Sequence, residues 1–464
     1  MEQLVNDIHS QLNATRVERI LRPRSCEDLQ QAIADASRSN KTLCIAGGRH
    51  SMGGQQFRSG AIMLDTTRLS RVRGFEPTAG TIEVEAGIQW PELAEFLLRS
   101  QRGKDLQWGI AQKQTGADRL CLGGAISSNV HGRGLSMKPI IGDIESFELI
   151  DADGIRKTCS RAENEDLFSL VIGGYGLFGV VYSLRLRLTP RVKMERVVEV
   201  ITADTLHEAF ERRIQDGFLY GDFQYAIDER SDDFLWKGVL SCYRPVDSDT
   251  KMPGRQKEIS RRIWHELVYM AHVEKSKAFN LYAEYYLSTS GQIYWSDTLQ
   301  LGGYLEDYHR KLDRRMRAPH KCTEMITEIF VPRDRLADFL TDAREDLRRN
   351  AVNVIYGTIR LIERDDESFL AWATQPYACV IFNLHTEHTP RGIEHSADAF
   401  RRLIDMAIRR GGRYFLTYHR FAGRDQVEEC YPQFREFLKL KCEHDPMELF
   451  QSDWYVDYKR QFAG

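Results

Sequence analysis

The sequence lacks several features that define broad classes of protein. None of its nine cysteines forms a CxxC pair, so neither a zinc site nor a disulfide framework is indicated, and we expect no bound metal. It contains no uncharged apolar run of about 18 residues or more, so no membrane-spanning helix is expected. The first residues mix charged and apolar side chains and have no cleavage signal of the secretory type. These absences favour a location in the reducing cytoplasm.

A surplus of basic residues is also missing. The formal net charge is -3, with 64 Lys and Arg against 67 Asp and Glu. Nucleic-acid binders usually carry clustered positive charge, so neither DNA nor RNA is an expected partner. The chain is, however, long and rich in aromatic residues. Its 464 residues, 42% hydrophobic and 10% aromatic, are enough for two substantial cores and a ligand pocket.

Apolar periodicity divides the chain into three parts. A helix is predicted over residues 26–39, and short strands are predicted over residues 42–46, 61–65, 81–86, 144–150 and 180–188. Longer alternating strands follow, over residues 323–331, 352–362 and 378–385, and the end of the chain is again helical. We therefore expect an α+β fold with parts at residues 1–190, 191–414 and 415–464. The middle part should be an antiparallel sheet flanked by helices.

Residues 46–55, AGGRHSMGGQ, carry the strongest chemical signal. Four glycines follow a predicted strand. Glycine permits positive φ and close approach of a ligand to the backbone, and successive N–H groups form an anion-binding nest suited to a pyrophosphate. This loop does not have the GxGxxG spacing and no helix is expected directly after it, so it does not indicate a Rossmann site. From these residues alone, His50 is either a structural histidine of the loop or a group that meets the ligand.

The string GGRHSMGGQ resembles the flavin-anchoring loop of the vanillyl-alcohol oxidase and p-cresol methylhydroxylase (PCMH) superfamily. The resemblance implies an FAD-binding fold of two subdomains with a separate cap domain. It also implies that His50 bonds covalently to the 8-methyl carbon of the flavin, for which a neutral imidazole nitrogen is needed as nucleophile. The loop residues implied to contact FAD are Ala46, Gly47, Gly48, Arg49, His50, Ser51, Met52 and Gln55.

Residues 115–132 resemble the second FAD-binding segment of the same superfamily. The likeness is strongest to the alditol oxidase and decaprenylphosphoryl-ribose oxidase families, which share a GGA…HG pattern. The residues implied to line the cofactor are Gly116, Cys121, Gly123, Gly124, Ser127, Ser128, His131 and Gly132. Taken without the resemblance, His131 equally fits a hydrogen-bonded loop histidine, and Cys121 equally fits a small buried thiol.

Two further segments, residues 144–154 and 173–181, follow in the order that the superfamily has. The second of them adds Val181 to the implied FAD contacts. Some members carry a cysteine that forms a second covalent link, and Ala117 stands at that place here. The resemblance therefore implies a single link, through His50.

Candidate substrate residues lie on the predicted strands of the middle part. Alternation places Tyr356, Thr358 and Arg360 on one face of a strand, which fits either a solvent-facing polar row or the wall of a pocket. Arg360 stands where alditol oxidases have an arginine that contacts the substrate, whereas Thr358 replaces their glutamate. Asn383, on another predicted strand, is a further pocket candidate.

Residues 414–420, YFLTYHR, resemble the strand that carries an active-site lysine in those relatives. Tyr418 stands at the place of that lysine, and Phe415 is implied to lie beside the cofactor. We expect Tyr418, or His419 beside it, to accept the substrate proton. A phenol acts as a base only when its pKa is lowered.

The resemblance implies that the chain oxidises an alcohol group of a sugar, polyol or similar small molecule. Hydride would pass to the His-linked flavin, Arg360 would hold the substrate oxygen, and oxygen or another acceptor would take the electrons. Two alternatives stay open, because one scaffold supports many functions. They are oxidation of an amine or aromatic natural product, and a flavin-binding module without turnover. The polar residues Tyr356, Arg360, Asn383 and Tyr418 argue against the last.

Overall fold

The computed structural model describes residues 2–254, 256–302 and 308–463, and it mixes helices with strands, as an α+β fold requires. The helices are α1 Cys26–Arg38, α2 Trp90–Ser100, α3 Leu122–Ser127, α4 Glu165–Val171, α5 Ala203–Gln215, α6 Arg261–Val273, α7 Lys275–Leu287, α8 His309–Met316, α9 Leu336–Arg349, α10 Pro390–Ile408, α11 Arg424–Cys430, α12 Phe434–His444 and α13 Asp453–Phe462.

The strands of the first part are β1 Gln3–Val5, β2 Thr15–Val17, β3 Arg19–Leu21, β4 Leu43–Ala46, β5 Ile62–Asp65, β6 Val72–Glu76, β7 Thr81–Glu85, β8 Trp108–Gly109, β9 Ile144–Ile150, β10 Arg156–Ser160, β11 Val180–Arg187 and β12 Thr189–Pro190. Those that follow are β13 Lys193–Thr202, β14 Tyr220–Tyr225, β15 Lys237–Pro245, β16 Ile293–Trp295, β17 Cys322–Pro332, β18 Val354–Ile362, β19 Tyr377–Glu387 and β20 Arg413–Tyr414. The predicted helix and strands of the sequence agree with these bounds to within two residues.

A parallel three-stranded sheet positions the glycine loop. Its order is β3-β5-β4, and β4 ends at Ala46, so the loop leaves from the carboxyl edge of the sheet. Helix α1 covers this sheet through Leu29, Ile33 and Ala36, which are buried at helical spacing. The Ser25 side chain accepts a hydrogen bond from the Asp28 N–H and so begins the helix. Local sequence therefore accounts for how the chain enters the loop.

The first part also contains a five-stranded antiparallel sheet, ordered β10-β9-β11-β7-β6, and two two-stranded sheets, β1-β2 and β12-β8. An eight-stranded antiparallel sheet is built from the strands between residues 193 and 414, in the order β16-β13-β15-β14-β18-β19-β17-β20. Helices α5, α9 and α10 contact strands of this sheet, and so do α6 and α7. The middle part is thus an antiparallel sheet flanked by helices, as its alternating pattern predicts.

The end of the chain returns to the parallel sheet. The Leu43 N–H donates to the Leu449 carbonyl at 2.7 Å, and the Gln451 N–H donates to the Leu43 carbonyl at 2.8 Å. The Asp453 N–H donates to the Phe57 carbonyl at 2.7 Å. These bonds hold the C-terminal segment against the strand that leads into the glycine loop. In the described residues, no helix is both long and apolar enough to span a membrane.

Candidate active site

A cavity of about 1370 Å³ lies between the glycine loop and the eight-stranded sheet. A second, narrower groove runs along the glycines on the other side of His50. His50, Ser51 and Ser128 line both spaces, so the groove opens into the cavity beside the His50 ring. This shape suits an elongated ligand with one end in the glycine groove and its other end in the cavity.

Most of the predicted site residues lie in one of these two spaces. Those lining the groove are Gly47, Gly48, Arg49, His50, Ser51, Gln55, Gly123, Gly124, Ser127, Ser128 and Val181. Those lining the cavity, apart from the shared residues, are Met52, Gly116, Phe415, Arg360, Asn383 and Tyr418. The structure thus brings together segments of the first part, the eight-stranded sheet and the last part.

The glycine loop passes close to the segment that precedes α3. A Cβ on Gly48 would lie 2.3 Å from the Arg119 carbonyl oxygen, and a Cβ on Gly47 would lie 2.9 Å from the Cys121 Cβ. Neither distance is compatible with a side chain, so only glycine allows this approach. The two glycines therefore let the loop pack directly against the Arg119 backbone and the Cys121 side chain.

His50 forms a pair with a residue that the sequence did not single out. Its Nδ1 lies 3.0 Å from Nε2 of His9. Burial lowers the pKa of His50 well below its usual value, and the neighbouring His9 adds to the effect. Burial likewise lowers the pKa of His9 to about 4. Both rings are therefore neutral near pH 7, and one donates to the other.

The second nitrogen of His50 is left without a hydrogen bond. Nε2 is buried and has no partner of good geometry within the described residues, although the Arg119 backbone is close. A neutral imidazole with one unengaged nitrogen beside a glycine groove fits the nucleophile that a histidyl-flavin bond needs. His9 has no local sequence signal, because it lies in an N-terminal segment outside the glycine motifs.

A buried carboxylate, Glu328 on β17, organises the opposite wall. The Tyr418 hydroxyl donates to Glu328 Oε2 at 3.0 Å, and Nε2 of His131 contacts Oε1. Burial by itself would raise the pKa of the Glu328 carboxyl. The charge and hydrogen bond of His131, the charge of Arg360 and the hydrogen bond from Tyr418 outweigh burial, so the pKa is lowered. Glu328 is thus an ionised carboxylate, although it is fully buried.

Tyr418 does not meet the condition for a base acting alone. Burial, and then the adjacent Glu328 charge, raise the pKa of its phenol well above the usual value. The residue is therefore a protonated phenol that donates to Glu328. The raised pKa disfavours Tyr418 as a proton acceptor acting alone, and its hydroxyl is already paired with Glu328.

Arg360 on β18 presents a buried cation to the cavity. It is 5% exposed, and its Nε has no hydrogen-bond partner within the described ranges. Thr358 is also buried, whereas Tyr356 is 40% exposed and lines the cavity. The Asn383 amide nitrogen donates to the Tyr356 carbonyl at 3.3 Å. A solvent-facing polar row is therefore wrong for this strand, which forms part of a pocket wall.

Five of the residues predicted to contact FAD or the substrate line neither of these two spaces. Ala46 ends β4, and its carbonyl accepts from the Thr66 hydroxyl at 3.2 Å. Cys121 packs behind Gly47, and burial raises the pKa of its thiol to about 12. The His131 ring and Gly132 lie behind the cavity wall, and Nδ1 of His131 is 3.0 Å from the Gly132 carbonyl oxygen. His419 stacks on Phe421, and burial lowers its pKa to about 4. Their positions support the walls from behind, and His419 is not placed to accept a proton from the cavity.

The missed residue Glu328 did leave a signal in the sequence. Glu324 and Glu328 stand four residues apart on a strand that is otherwise mostly apolar. With a period of two, they share one face. Paired carboxylates on an apolar strand indicate a buried polar site, since a buried charge needs partners.

Comparison with known proteins adds independent findings. A family model described as an FAD binding domain matches residues 17–160. The chain is 27% identical to cytokinin dehydrogenase 1 of Arabidopsis thaliana over 201 residues, which are 42% of this chain and 33% of that protein. It is 30% identical to D-arabinono-1,4-lactone oxidase of Yarrowia lipolytica over 189 residues, 40% of this chain and 34% of that protein. These matches span about a third of the relatives' own length.

A longer match is found to L-gulonolactone oxidase of Bos taurus. The identity is 22% over 449 residues, and the match covers 93% of each chain. It therefore includes the eight-stranded sheet and the C-terminal helices, beyond the part that the FAD-domain model covers.

Adding a methyl group at Gly48 tests the close packing of the glycine loop. We expect Gly48→Ala to lower bound flavin per chain several-fold, because the new Cβ would meet the Arg119 carbonyl and lie 2.9 Å from Cδ2 of His50. The visible absorbance of the purified protein, relative to its protein absorbance, measures the change. Gly74→Ala is the matched control, since a Cβ there meets nothing within 4 Å. Equal flavin content in both variants would contradict the tight approach.

Proposed function

Because the chain belongs to the PCMH-type superfamily of FAD-dependent oxidoreductases, we propose that it oxidises a CH–OH group of a sugar, polyol or sugar lactone. The observation that carries the proposal is the buried guanidinium of Arg360, which faces the cavity beside the Tyr418–Glu328 pair and whose Nε has no hydrogen bond to any described residue. Relatives named as lactone oxidases support the substrate class.

We propose that residues 1–190 and 415–464 hold FAD and that residues 191–414 form the substrate cap. The close packing at Gly47 and Gly48, and the unengaged Nε2 of His50, fit this cofactor. The covalent bond would run through the His50 ring alone, because Ala117 offers no sulfur. When bound, FAD supplies the hydride acceptor.

Arg360 is suited to hold the oxygen of the substrate. A buried, permanently charged N–H donor that lacks a protein partner gains a partner when the substrate binds. Its positive charge also favours the alkoxide character that develops as the hydroxyl proton leaves. Asn383 and Tyr356 would contact the remainder of the substrate from the same wall.

The hydroxyl proton is proposed to move in a two-step relay. Tyr418 accepts it at Oη while passing its own proton to Glu328 Oε2, 3.0 Å away. The phenol never has to ionise by itself, which agrees with its raised pKa. His131 stabilises the Glu328 carboxylate before the transfer.

Anaerobic bleaching of the yellow protein tests the proposed reaction. The panel would contain polyols, aldoses and sugar lactones, with amines and aromatic alcohols as the two alternative classes. We expect at least one member of the first group to bleach the flavin, and admission of oxygen or of a second acceptor to restore the colour. Deuterium at the oxidised carbon should slow the bleaching. Bleaching by amines or aromatic alcohols alone would favour those substrates, and bleaching by dithionite alone would favour a module without turnover.

The variant Arg360→Met identifies the group that binds the substrate. A hydrogen bond to a charged group contributes about 1.5–3 kcal/mol, which is roughly a 10- to 100-fold higher half-saturating concentration when it is lost. Arg391→Met, at an exposed position near the start of α10, is the control. Equal half-saturating substrate concentrations in the two variants would show that Arg360 does not hold the substrate oxygen.

A further inference from the structure

Three histidines and a carboxylate meet in the structure, apart from the Glu328 group. His272 comes from α6, His309 is the first residue of α8, Glu324 lies on β17 and His385 lies on β19. Glu324 and His385 are direct partners in the β17–β19 register. Their side chains therefore project from the same face of the sheet, a few ångströms apart.

The ligand atoms of this cluster are close together. The available nitrogen or oxygen atoms of His272, Glu324 and His385 all lie within 4.8 Å of one another. Nε2 of His272 is 3.6 Å from Glu324 Oε1, and Nε2 of His309 is 3.2 Å from Glu324 Oε2. The His272 and His385 rings are 5.0 Å apart in an edge-to-face arrangement.

Three polar atoms of the cluster are buried without a partner. Within the described residues, His272 Nε2, Glu324 Oε1 and His385 Nδ1 have no hydrogen bond. Glu324 is only 6% exposed, and the His272 side chain is 1% exposed. Buried polar atoms are seldom left unpaired, and 3.6 Å is too long for a hydrogen bond. A missing partner between them is the simplest explanation.

The surrounding hydrogen bonds show what kind of partner fits. His272 Nδ1 donates to the Val268 carbonyl at 2.8 Å, which turns Nε2 toward Glu324 Oε1. The other carboxylate oxygen, Oε2, is already bonded by the Tyr308 hydroxyl. At 3.6 Å, Nε2 and Oε1 are too far apart for a direct hydrogen bond, so a ligand bound between them would engage both atoms.

We propose that His272, Glu324 and His385 bind one divalent transition-metal ion, with His309 orienting the carboxylate. Two imidazoles and a carboxylate form a ligand set that zinc accepts, and three protein ligands leave a coordination position open. His272 and Glu324 line the large cavity together with Tyr308. The open position would therefore take water or an oxygen of a bound ligand from that cavity. The backbone contact at Nδ1 of His272 is the kind of outer hydrogen bond that fixes a metal-binding histidine.

The proposal departs from the sequence-based expectation of no metal, which rested on the spacing of cysteines. Here the ligands come from three elements that are distant along the chain.

Zinc titration of the full-length flavoprotein tests the site. Protein treated with a chelator and dialysed into metal-free buffer is titrated with zinc sulfate against a chromophoric chelator, and the metal content is measured by mass spectrometry. We expect about one zinc per chain. Glu324→Gln and His385→Asn should each weaken binding at least 10-fold, in line with the loss of a metal ligand. His395→Asn, at an exposed position on α10, should bind as the parent does.

The possible results separate cleanly. The flavin absorbance and the unfolding temperature without zinc report whether each variant folds, and zinc should raise the unfolding temperature only where Glu324 and His385 are intact. Failure of the parent protein to bind one zinc would overturn the proposal, leaving a proton between His272 and Glu324. Equal affinity in the parent and in Glu324→Gln would also overturn it. The proposal would also be overturned if Glu328→Gln were the only variant to lose zinc, because that result would assign the metal to the His131, Glu328 and Cys379 group.

Discussion

Replacing His50 by alanine is expected to remove the covalent flavin completely, from one per chain to none. His50 is a neutral ring with one nitrogen engaged by His9 and the other unengaged beside the glycine groove. Acid precipitation and intact-mass measurement give the result. The parent pellet should stay yellow with the added mass of one FAD, whereas the His50→Ala pellet should be colourless. Non-covalent FAD can remain in the native variant, because the groove walls are intact.

Two controls make the experiment on His50 specific. His395→Ala removes an exposed histidine on α10 and should leave the bond unchanged. Cys121→Ser removes the thiol that packs against Gly47; Cys121 is the one cysteine among the predicted FAD contacts. A coloured His50→Ala pellet would contradict the proposed linkage, and a colourless Cys121→Ser pellet would transfer the bond to sulfur.

Tyr418→Phe is expected to slow anaerobic flavin reduction by about 10²- to 10³-fold, within the range that general acid–base catalysis contributes. The variant keeps the ring and removes only the hydroxyl that donates to Glu328 at 3.0 Å. Stopped-flow measurement of bleaching at saturating substrate gives the rate directly. Tyr414→Phe is the matched control, because Tyr414 is a fully buried tyrosine on β20 that does not line the cavity.

The relay also predicts how two variants combine. Glu328→Gln should cause a loss of the same order, and the double variant should be little slower than either single one, since both residues serve one proton transfer. Glu328→Gln also disturbs the contact with His131. The reduction rate of Tyr418→Phe is therefore the deciding measurement for the relay. A Tyr418→Phe rate within about threefold of the parent would exclude the two-residue relay, because that is far below the expected contribution.

Local signals predicted the strands and the cofactor loop because both depend on neighbouring residues. Helix α1 shows an apolar face at helical spacing with a serine at its start, and β4 is an apolar run that ends at two glycines. The glycines are required by backbone approach. These local features are enough to place His50 next to the groove.

The same local reasoning assigned Tyr418 and His419 less well. Both are adjacent in sequence, yet only Tyr418 lines the cavity, whereas His419 stacks on Phe421. Residue type suggested a base, but burial and the Glu328 charge raise the pKa of the Tyr418 phenol. A pKa depends on the groups that surround the side chain in three dimensions, which a linear motif does not contain.

The α+β class, the glycine loop and the position of His50 within it follow from the order of the residues. Three-dimensional packing sets which groups meet: His9 with His50, Tyr418 with Glu328, and His272 with Glu324 and His385. These contacts join residues from different parts of the chain through strand register and helix packing. Burial then sets the charge of each group, so the chemistry of the site arises from the packing of elements whose sequences predict only their local form.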